Sequence, residues 1–249
     1  MIRTKIIMGM PVIVEIADLR TVEEDFNAVF SYFRYVDAKF STYKSDSEIS
    51  KINRGEISEK NYSEEMREVL RLSEETKRDT YGYFNIFRNE KCDPSGLVKG
   101  WAIYKAAQIL KDRGLKNFYV DAGGDIQTYG QNPEDKIWKV GIQSPFDKQQ
   151  IVKVVYIQDL GLATSGTYVR GQHIYNPLKP KQPITEIVSL SVIGPNIYEA
   201  DRFATAAFAM GKEGINFIEG LAGFEGYMID QNGLATMTSN FEKYTKENV

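Results

Sequence analysis

Two short stretches, far apart in the chain, carry residue types that could together handle a phosphate group. The first, Asp93–Gly100, places an acid, a hydroxyl, two glycines and a lysine where the pattern predicts the start of a helix. A helix start offers unpaired backbone N–H groups and the positive end of the helix dipole. Lys99 adds a point positive charge on a flexible stem. We interpret this stretch as one part of a phosphate-binding site.

The second stretch is a helix with a carboxylate and a hydroxyl on one face. A capping box at Asn196–Glu199 predicts where it begins, and Asp201 and Thr205 follow four residues apart. Their oxygens are hard ligands of the kind that Mg²⁺ prefers. The alternative is structural, with Asp201 favouring the first helical turn electrostatically and Thr205 packing against a neighbour.

His173 is the only histidine in the chain. Its neighbours are a mixture of polar and apolar residues close to a turn. An imidazole could take a proton from a hydroxyl near neutral pH. A structural role is the alternative that the residue type alone leaves open.

Two further stretches have a structural interpretation beside a functional one. The aromatic segment Tyr81–Phe87 could stack on a ring, but aromatic side chains of this kind more often belong to a core. Gly123-Gly124-Asp125 after a predicted strand favours a tight chain reversal over a phosphate cradle. Neither G-x-G-x-x-G nor G-x-x-x-x-G-K-[ST] occurs, which argues against the two common nucleotide-binding fingerprints.

The composition sets limits on the class of protein. The 249 residues are 42% hydrophobic and carry a net charge of −3, which fits a globular protein without a global field that would attract nucleic acid. Cys92 is the single cysteine, so no intramolecular disulfide is possible. No apolar run reaches the roughly 18 residues of a membrane span, and the first residues do not resemble a signal peptide. We therefore expect a cytoplasmic protein, or a periplasmic or membrane-attached one if a leader has been removed.

The elements that must position these residues can be outlined from periodicity. Capping patterns predict helices from Thr21 and from Ser63, and a further helix follows the first stretch and ends at Gly114. Alternating patterns predict strands near 117–121, 126–129, 138–143 and 151–158, and from 185 to 194.

Taken in chain order, eight motifs resemble those of the ApbE-type FAD:protein FMN transferases. They are Met8-Gly9; Phe40-Ser-Thr-Tyr43 with Asp46-Ser-Glu-Ile49 and Asn53; Gly82-Tyr-Phe-Asn85; Asp93–Gly100; Asp121-Ala-Gly-Gly-Asp125; Thr164-Ser-Gly166; His173-Ile174 with Pro177; and Asp201 with Thr205. The resemblance runs along nearly the whole chain, which we therefore treat as one domain, residues 1–249.

The resemblance implies both an activity and a fold. The activity is a Mg²⁺-dependent cleavage of FAD that attaches FMN to a threonine hydroxyl of a partner flavoprotein and releases AMP. The fold is α+β, two-lobed, with mostly antiparallel sheets and the FAD in a cleft between the lobes.

Residue roles also follow from the resemblance, position by position. His173 would be the general base toward the acceptor threonine, and the metal would be held by Asp201, Thr205 and the carbonyl of Gly96. The residues that would line the FAD site are Met8, Tyr43, Tyr83, Phe84, Asn85, Asp93, Lys99 and Ile174. Asn85 departs from the family pattern, which has an aspartate there.

Two other functions remain open at this stage. Water could replace the threonine, which would make the protein an FAD pyrophosphatase that yields FMN and AMP. A non-catalytic FAD-binding protein is the other possibility, although it leaves Asp201, Thr205 and His173 without a role.

Overall fold

The computed structural model describes residues 1–88, 90–166 and 174–246 of the chain. The predicted base His173 therefore lies outside the described residues. All other residues that the sequence singles out for chemistry fall within them.

An eight-stranded sheet forms the centre of the molecule, and all its neighbouring strands are antiparallel. This confirms the predicted α+β class with mostly antiparallel strands. Its order is β1-β2-β5-β6-β9-β10-β11-β12, and β3-β4 and β7-β8 form two separate hairpins. The strands are β1 Ile2–Ile7, β2 Met10–Ile16, β3 Phe87–Arg88, β4 Lys91–Cys92, β5 Phe118–Ala122, β6 Asp125–Tyr129, β7 Trp138–Gln143, β8 Ile151–Ile157, β9 Gly161–Gly166, β10 Ile187–Gly194, β11 Glu225–Asp230 and β12 Ala235–Met237.

Six α-helices accompany the sheet in the described part of the chain. They are α1 Glu23–Phe40, α2 Glu48–Asn53, α3 Glu64–Asp79, α4 Ser95–Asp112, α5 Ile197–Ala209 and α6 Gly214–Glu219. Short 3₁₀ turns lie at Glu59–Asn61, Gly211–Glu213 and Phe241–Tyr244.

The helix caps test the sequence prediction directly. Asn196 caps α5 as predicted, and its side chain accepts a hydrogen bond from the backbone N–H of Glu199. The prediction from Thr21 was wrong by one residue. Val22 occupies the N-cap position, and its N–H donates to the carboxylate of Asp25, 3.0 Å away. The reciprocal bond comes from Asp25 instead of Glu24, so the helix begins one residue later.

Alternate residues of the sheet enter two hydrophobic clusters on opposite faces. In β10, Val192 belongs to the cluster with α1, α4 and α5, whereas Ile193 belongs to the cluster with the β7-β8 hairpin. Met228 and Ile229 of β11 divide in the same way. The period of two in a strand produces this division. The sheet is thus covered by helices on one face and by a β-hairpin on the other.

Candidate functional site

Helices α4 and α5 cross where two residues of one helix, spaced four apart, face two residues of the other helix with the same spacing. Gly96 and Gly100 of α4 face Thr205 and Asp201 of α5. A Cβ added at Gly100 would lie 2.5 Å from the Cβ of Asp201, so only glycine permits this approach. The Thr205 hydroxyl donates to the carbonyl oxygen of Gly96 at 3.3 Å. The two stretches that the sequence placed far apart therefore come together at one crossing.

Asp201 is buried at this crossing, with 3% of its surface exposed. One carboxylate oxygen accepts a hydrogen bond from the N–H of Gly100 at 2.8 Å, and the other lies 3.8 Å from the ammonium of Lys99. Burial raises the pKa of Asp201, while the Lys99 charge opposes the rise and the neighbouring carboxylate of Asp125 adds to it. A cation placed near this carboxylate would stabilise its charged form.

Asp125 is a member of the site that the residue assignment from the sequence omitted. It is 1% exposed, and one of its oxygens accepts from the N–H of Thr164 at 3.0 Å while the other forms an ion pair with Lys99. Lys99 therefore lies between the carboxylates of Asp125 and Asp201. In the sequence, the signal for a role of Asp125 was its position at the end of the Asp121–Asp125 motif. Only the fold shows that strand β6 brings Asp125 next to α4.

A tight reversal of the chain places Asp125 at the end of its hairpin. Gly123 and Gly124 connect β5 to β6 with positive φ values of 66° and 93°, which confirms the turn interpretation of this pair. The N–H of Gly124 donates to the carboxylate of Asp121 at 2.8 Å. Burial raises the pKa of Asp121 to about 6 despite this hydrogen bond.

The crossing lies in a cleft of about 1250 Å³. Its lining draws on α4, α5, the β3-β4 hairpin, the β5-β6 turn and strands β7 and β9. This volume exceeds the roughly 300–1,000 Å³ of pockets for drug-sized ligands. The predicted site residues that line it are Tyr83, Phe84, Asn85, Asp93, Gly96, Lys99, Ile174, Asp201 and Thr205.

Two predicted FAD contacts are absent from the cleft lining. Met8 lies in the turn between β1 and β2 with φ of 56°, and the adjacent Gly9 and Met10 line the cleft. The side chain of Tyr43 is 98% exposed, while its neighbour Thr42 lines the cleft. A ligand contact for these two side chains stays a prediction.

The start of α4 is partly occupied by a side chain of the protein itself. The carboxylate of Asp93 accepts from the N–H of Ser95 at 3.1 Å, and the carbonyl of Pro94 accepts from Leu97 and Val98. The helix start thus offers fewer free N–H donors than the sequence suggested. The charge of Lys99 and the crossing with α5 are the stronger features of the stretch.

Other motif residues hold the walls of the cleft in place. Asn53 exchanges two 2.8 Å hydrogen bonds with the backbone of Cys92, which fixes α2 to the strand that leads into Asp93. Ser47 caps α2. Glu48 accepts two 2.7 Å bonds from Ser63, the N-cap of α3. These residues are therefore structural parts of the motifs.

The donors at the crossing suit a small hard cation. Among the described residues, no group of three or more His, Cys, Asp or Glu side chains is placed to hold a metal ion. The crossing instead offers one carboxylate, one hydroxyl and one carbonyl, from Asp201, Thr205 and Gly96. Mg²⁺ is commonly held by one or two carboxylates, with water and substrate phosphates completing its shell. The residues present fit that type of site.

The chain belongs to the ApbE family, whose model matches residues 8–90 and 87–228. The two matched segments meet at the β3-β4 hairpin. None of the helices in the described ranges has the length and apolar character needed to cross a membrane.

Named relatives share parts of the sequence. An FAD:protein FMN transferase of Klebsiella pneumoniae is 33% identical over 150 residues, which are 57% of this chain and 43% of that protein. The chain thus aligns with less than half the length of that relative. An FAD:protein FMN transferase of Haemophilus influenzae is 24% identical over 294 aligned positions, covering 91% of this chain and 85% of the relative. The alignment is longer than the 249-residue chain, so the chain lacks residues present in that relative.

Solved structures show the same fold. The flavin transferase ApbE from Vibrio cholerae superposes with a TM-score of 0.83 at 21% identity, covering 98% of both chains. An ApbE protein from Thermotoga maritima gives a TM-score of 0.86 at 20% identity, covering 99% of both chains. The predicted α+β fold with mostly antiparallel sheets is confirmed.

Proposed function

We propose that the protein is a flavin transferase that takes FAD as substrate, attaches FMN to a threonine hydroxyl of an acceptor flavoprotein and releases AMP. The observation that carries the proposal is the α4/α5 crossing, which brings Lys99, Asp201 and Thr205 together in one large cleft. Membership of the ApbE family and relatives that bear the name FAD:protein FMN transferase support it.

Phosphoryl-type transfer depends on neutralising the charge of the group that moves. Asp201, Thr205 and the carbonyl of Gly96 would hold Mg²⁺, which when bound supplies Lewis-acid stabilisation of the phosphate oxygens. Lys99 supplies a fixed positive charge that the carboxylates of Asp125 and Asp201 orient. Burial of both carboxylates strengthens these interactions relative to water.

The transfer step requires one general base. The threonine oxygen forms a bond to the phosphorus of the FMN half, and the bond from that phosphorus to the bridging oxygen breaks, so that AMP leaves. The threonine proton passes to the imidazole of His173, a role that rests on the family resemblance. The resemblance likewise assigns the flavin nucleotide to a cleft between two lobes, with contacts from Met8, Tyr43, Tyr83, Phe84, Asn85, Asp93, Lys99 and Ile174.

The test is an incubation of the protein with FAD, Mg²⁺ and an acceptor domain that bears a threonine. We expect covalent flavin on the acceptor, detected by intact mass, together with an equal amount of AMP. A matched acceptor with its threonine replaced by valine should stay unlabelled. FMN and AMP without labelling would identify a pyrophosphatase, and FAD binding without turnover would identify a binding protein. Either result would overturn the proposal.

A further inference from the structure

The β3-β4 hairpin at the mouth of the cleft places two positive charges opposite each other. Arg88 and Lys91 are directly paired across the hairpin, and both line the cleft. Like charges on directly opposed residues of an antiparallel pair destabilise it. Neither side chain forms an ion pair with any acid within the described ranges, although Glu90 and Asp93 are close in sequence. The hairpin therefore carries a repulsion that a bound anion would relieve.

The position of Arg88 is fixed by an aromatic residue from another part of the chain. Its guanidinium lies over the ring of Tyr175, 4.6 Å from the centroid. The Tyr175 hydroxyl in turn donates to the carbonyl oxygens of Asn85 and Phe87, at 3.3 and 3.2 Å. The ring thus supports the guanidinium while the hydroxyl holds the base of the hairpin. This arrangement keeps a positive charge at the cleft mouth without neutralising it.

We propose that Arg88 and Lys91 form a phosphate-binding subsite at the mouth of the cleft, separate from the α4/α5 crossing. The ligand class is a phosphate monoester or diphosphate. The proposal rests on the proposed function in one respect, which is that the bound phosphate belongs to one half of FAD. A guanidinium and an ammonium facing one phosphate give charge-assisted hydrogen bonds. The subsite would contact the outward-facing oxygens of one phosphate of the diphosphate, while the crossing acts on the bond between the two phosphates.

The test measures direct binding of AMP and of FMN to the full chain by calorimetry, at low and at moderate salt. The variants are R88A and K91E, with R34A as a matched control because Arg34 is exposed on α1 and outside the cleft lining. We expect about tenfold weaker binding of one mononucleotide in R88A and in K91E, with a reduced salt dependence. Whichever mononucleotide is affected identifies the half of FAD that occupies the subsite. R34A should bind as the wild type does.

K91E separates binding from stability. It replaces repulsion across the hairpin by attraction, so its resistance to urea should equal or exceed that of the wild type while its nucleotide binding falls. Unchanged binding of both AMP and FMN in K91E would overturn the subsite. Because binding is measured without turnover, a failure of flavin transfer in the wild type would overturn the proposed function and leave this result standing.

Discussion

The floor and the rim of the cleft are built in contrasting ways. At the floor, α4 and α5 approach so closely that a single added carbon at Gly100 would clash with Asp201, and the carboxylates of Asp125 and Asp201 are buried and paired. At the rim, the β3-β4 hairpin has only two residues in each strand, three of these four residues are exposed, and hydrogen bonds from Tyr175 and Asn53 support it. Close packing fixes geometry and tolerates little change. An exposed hairpin tolerates substitution, so we expect differences between relatives to collect there.

The largest effect is expected at the floor, from Asp201→Asn. The amide oxygen can still accept the hydrogen bond from Gly100, so the fold should be retained, while the charge that would hold Mg²⁺ is lost. We expect Mg²⁺-dependent flavin transfer to fall by about a hundredfold or more. Asp112→Asn, at an exposed position near the end of α4, is the matched control. Activity of D201N within threefold of the wild type would remove the metal role from the floor.

His173→Ala separates chemistry from binding. If the imidazole is the base, FAD affinity should change by no more than about threefold, while transfer to the acceptor slows by about a hundredfold or more. Rapid-quench measurement of acceptor labelling, beside an FAD titration, gives both quantities. A transfer rate equal to that of the wild type would exclude the base role.

Gly100→Ala tests the close packing of the floor. The added methyl group would meet the Cβ of Asp201 at 2.5 Å and the carbonyl of Ile197 at 2.9 Å. We expect the free energy of unfolding in urea to fall by about 1–3 kcal/mol. Gly220→Ala is the control, because its nearest contact would be an ordinary 3.5 Å. Equal stability of the two variants would show that the crossing can relax.

Asp121→Asn tests how a buried carboxylate near the floor makes the stability of the protein depend on pH. The folded-state pKa of Asp121, about 6, is above its usual value of 3.8, so its stabilising contribution is present at low pH and is lost as pH rises through about 6. The amide can still accept from Gly124. At pH 7–8 we expect the variant to be more stable than the wild type by about 1 kcal/mol, a value reduced for partial exposure. The advantage should vanish below about pH 4, and parallel pH profiles of unfolding would contradict the expectation.

The smallest effect is expected at the rim, from Tyr175→Phe. The ring under Arg88 remains, and only the two long hydrogen bonds to the hairpin are lost. We expect a loss of stability of about 0.5–1 kcal/mol and FAD binding that is weaker by no more than about fivefold. A loss as large as that of Gly100→Ala would contradict the contrast between floor and rim.

Local signals in the sequence predicted much of this arrangement. The cap at Asn196 predicted where α5 begins, and the spacing of Asp201 and Thr205 predicted that both face the same way. Those signals depend on neighbouring residues alone. The cap of α1 was misplaced by one residue because the reciprocal hydrogen bond is accepted by Asp25 from the N–H of Val22, whereas the N–H of Thr21 donates to the carbonyl of Asp18.

The family resemblance implied that Gly96 meets Asp201 and Thr205, but other partnerships between distant residues were beyond sequence reasoning. Nothing near Asp125 indicates that its carboxylate reaches Lys99, and nothing near Asn53 indicates that it clamps Cys92. Tyr175 likewise reveals its role only once the hairpin lies beside it. Such contacts depend on how the sheet and helices pack, which local periodicity does not specify.

The central claim is that the α4/α5 crossing binds Mg²⁺ and the diphosphate of FAD together, and linkage between the two ligands tests it most directly. FAD binding to the full chain is measured by calorimetry with and without Mg²⁺, for the wild type and for Asp201→Asn. We predict that Mg²⁺ tightens FAD binding about tenfold or more in the wild type and has no effect in the variant. Equal tightening in both proteins would contradict the claim.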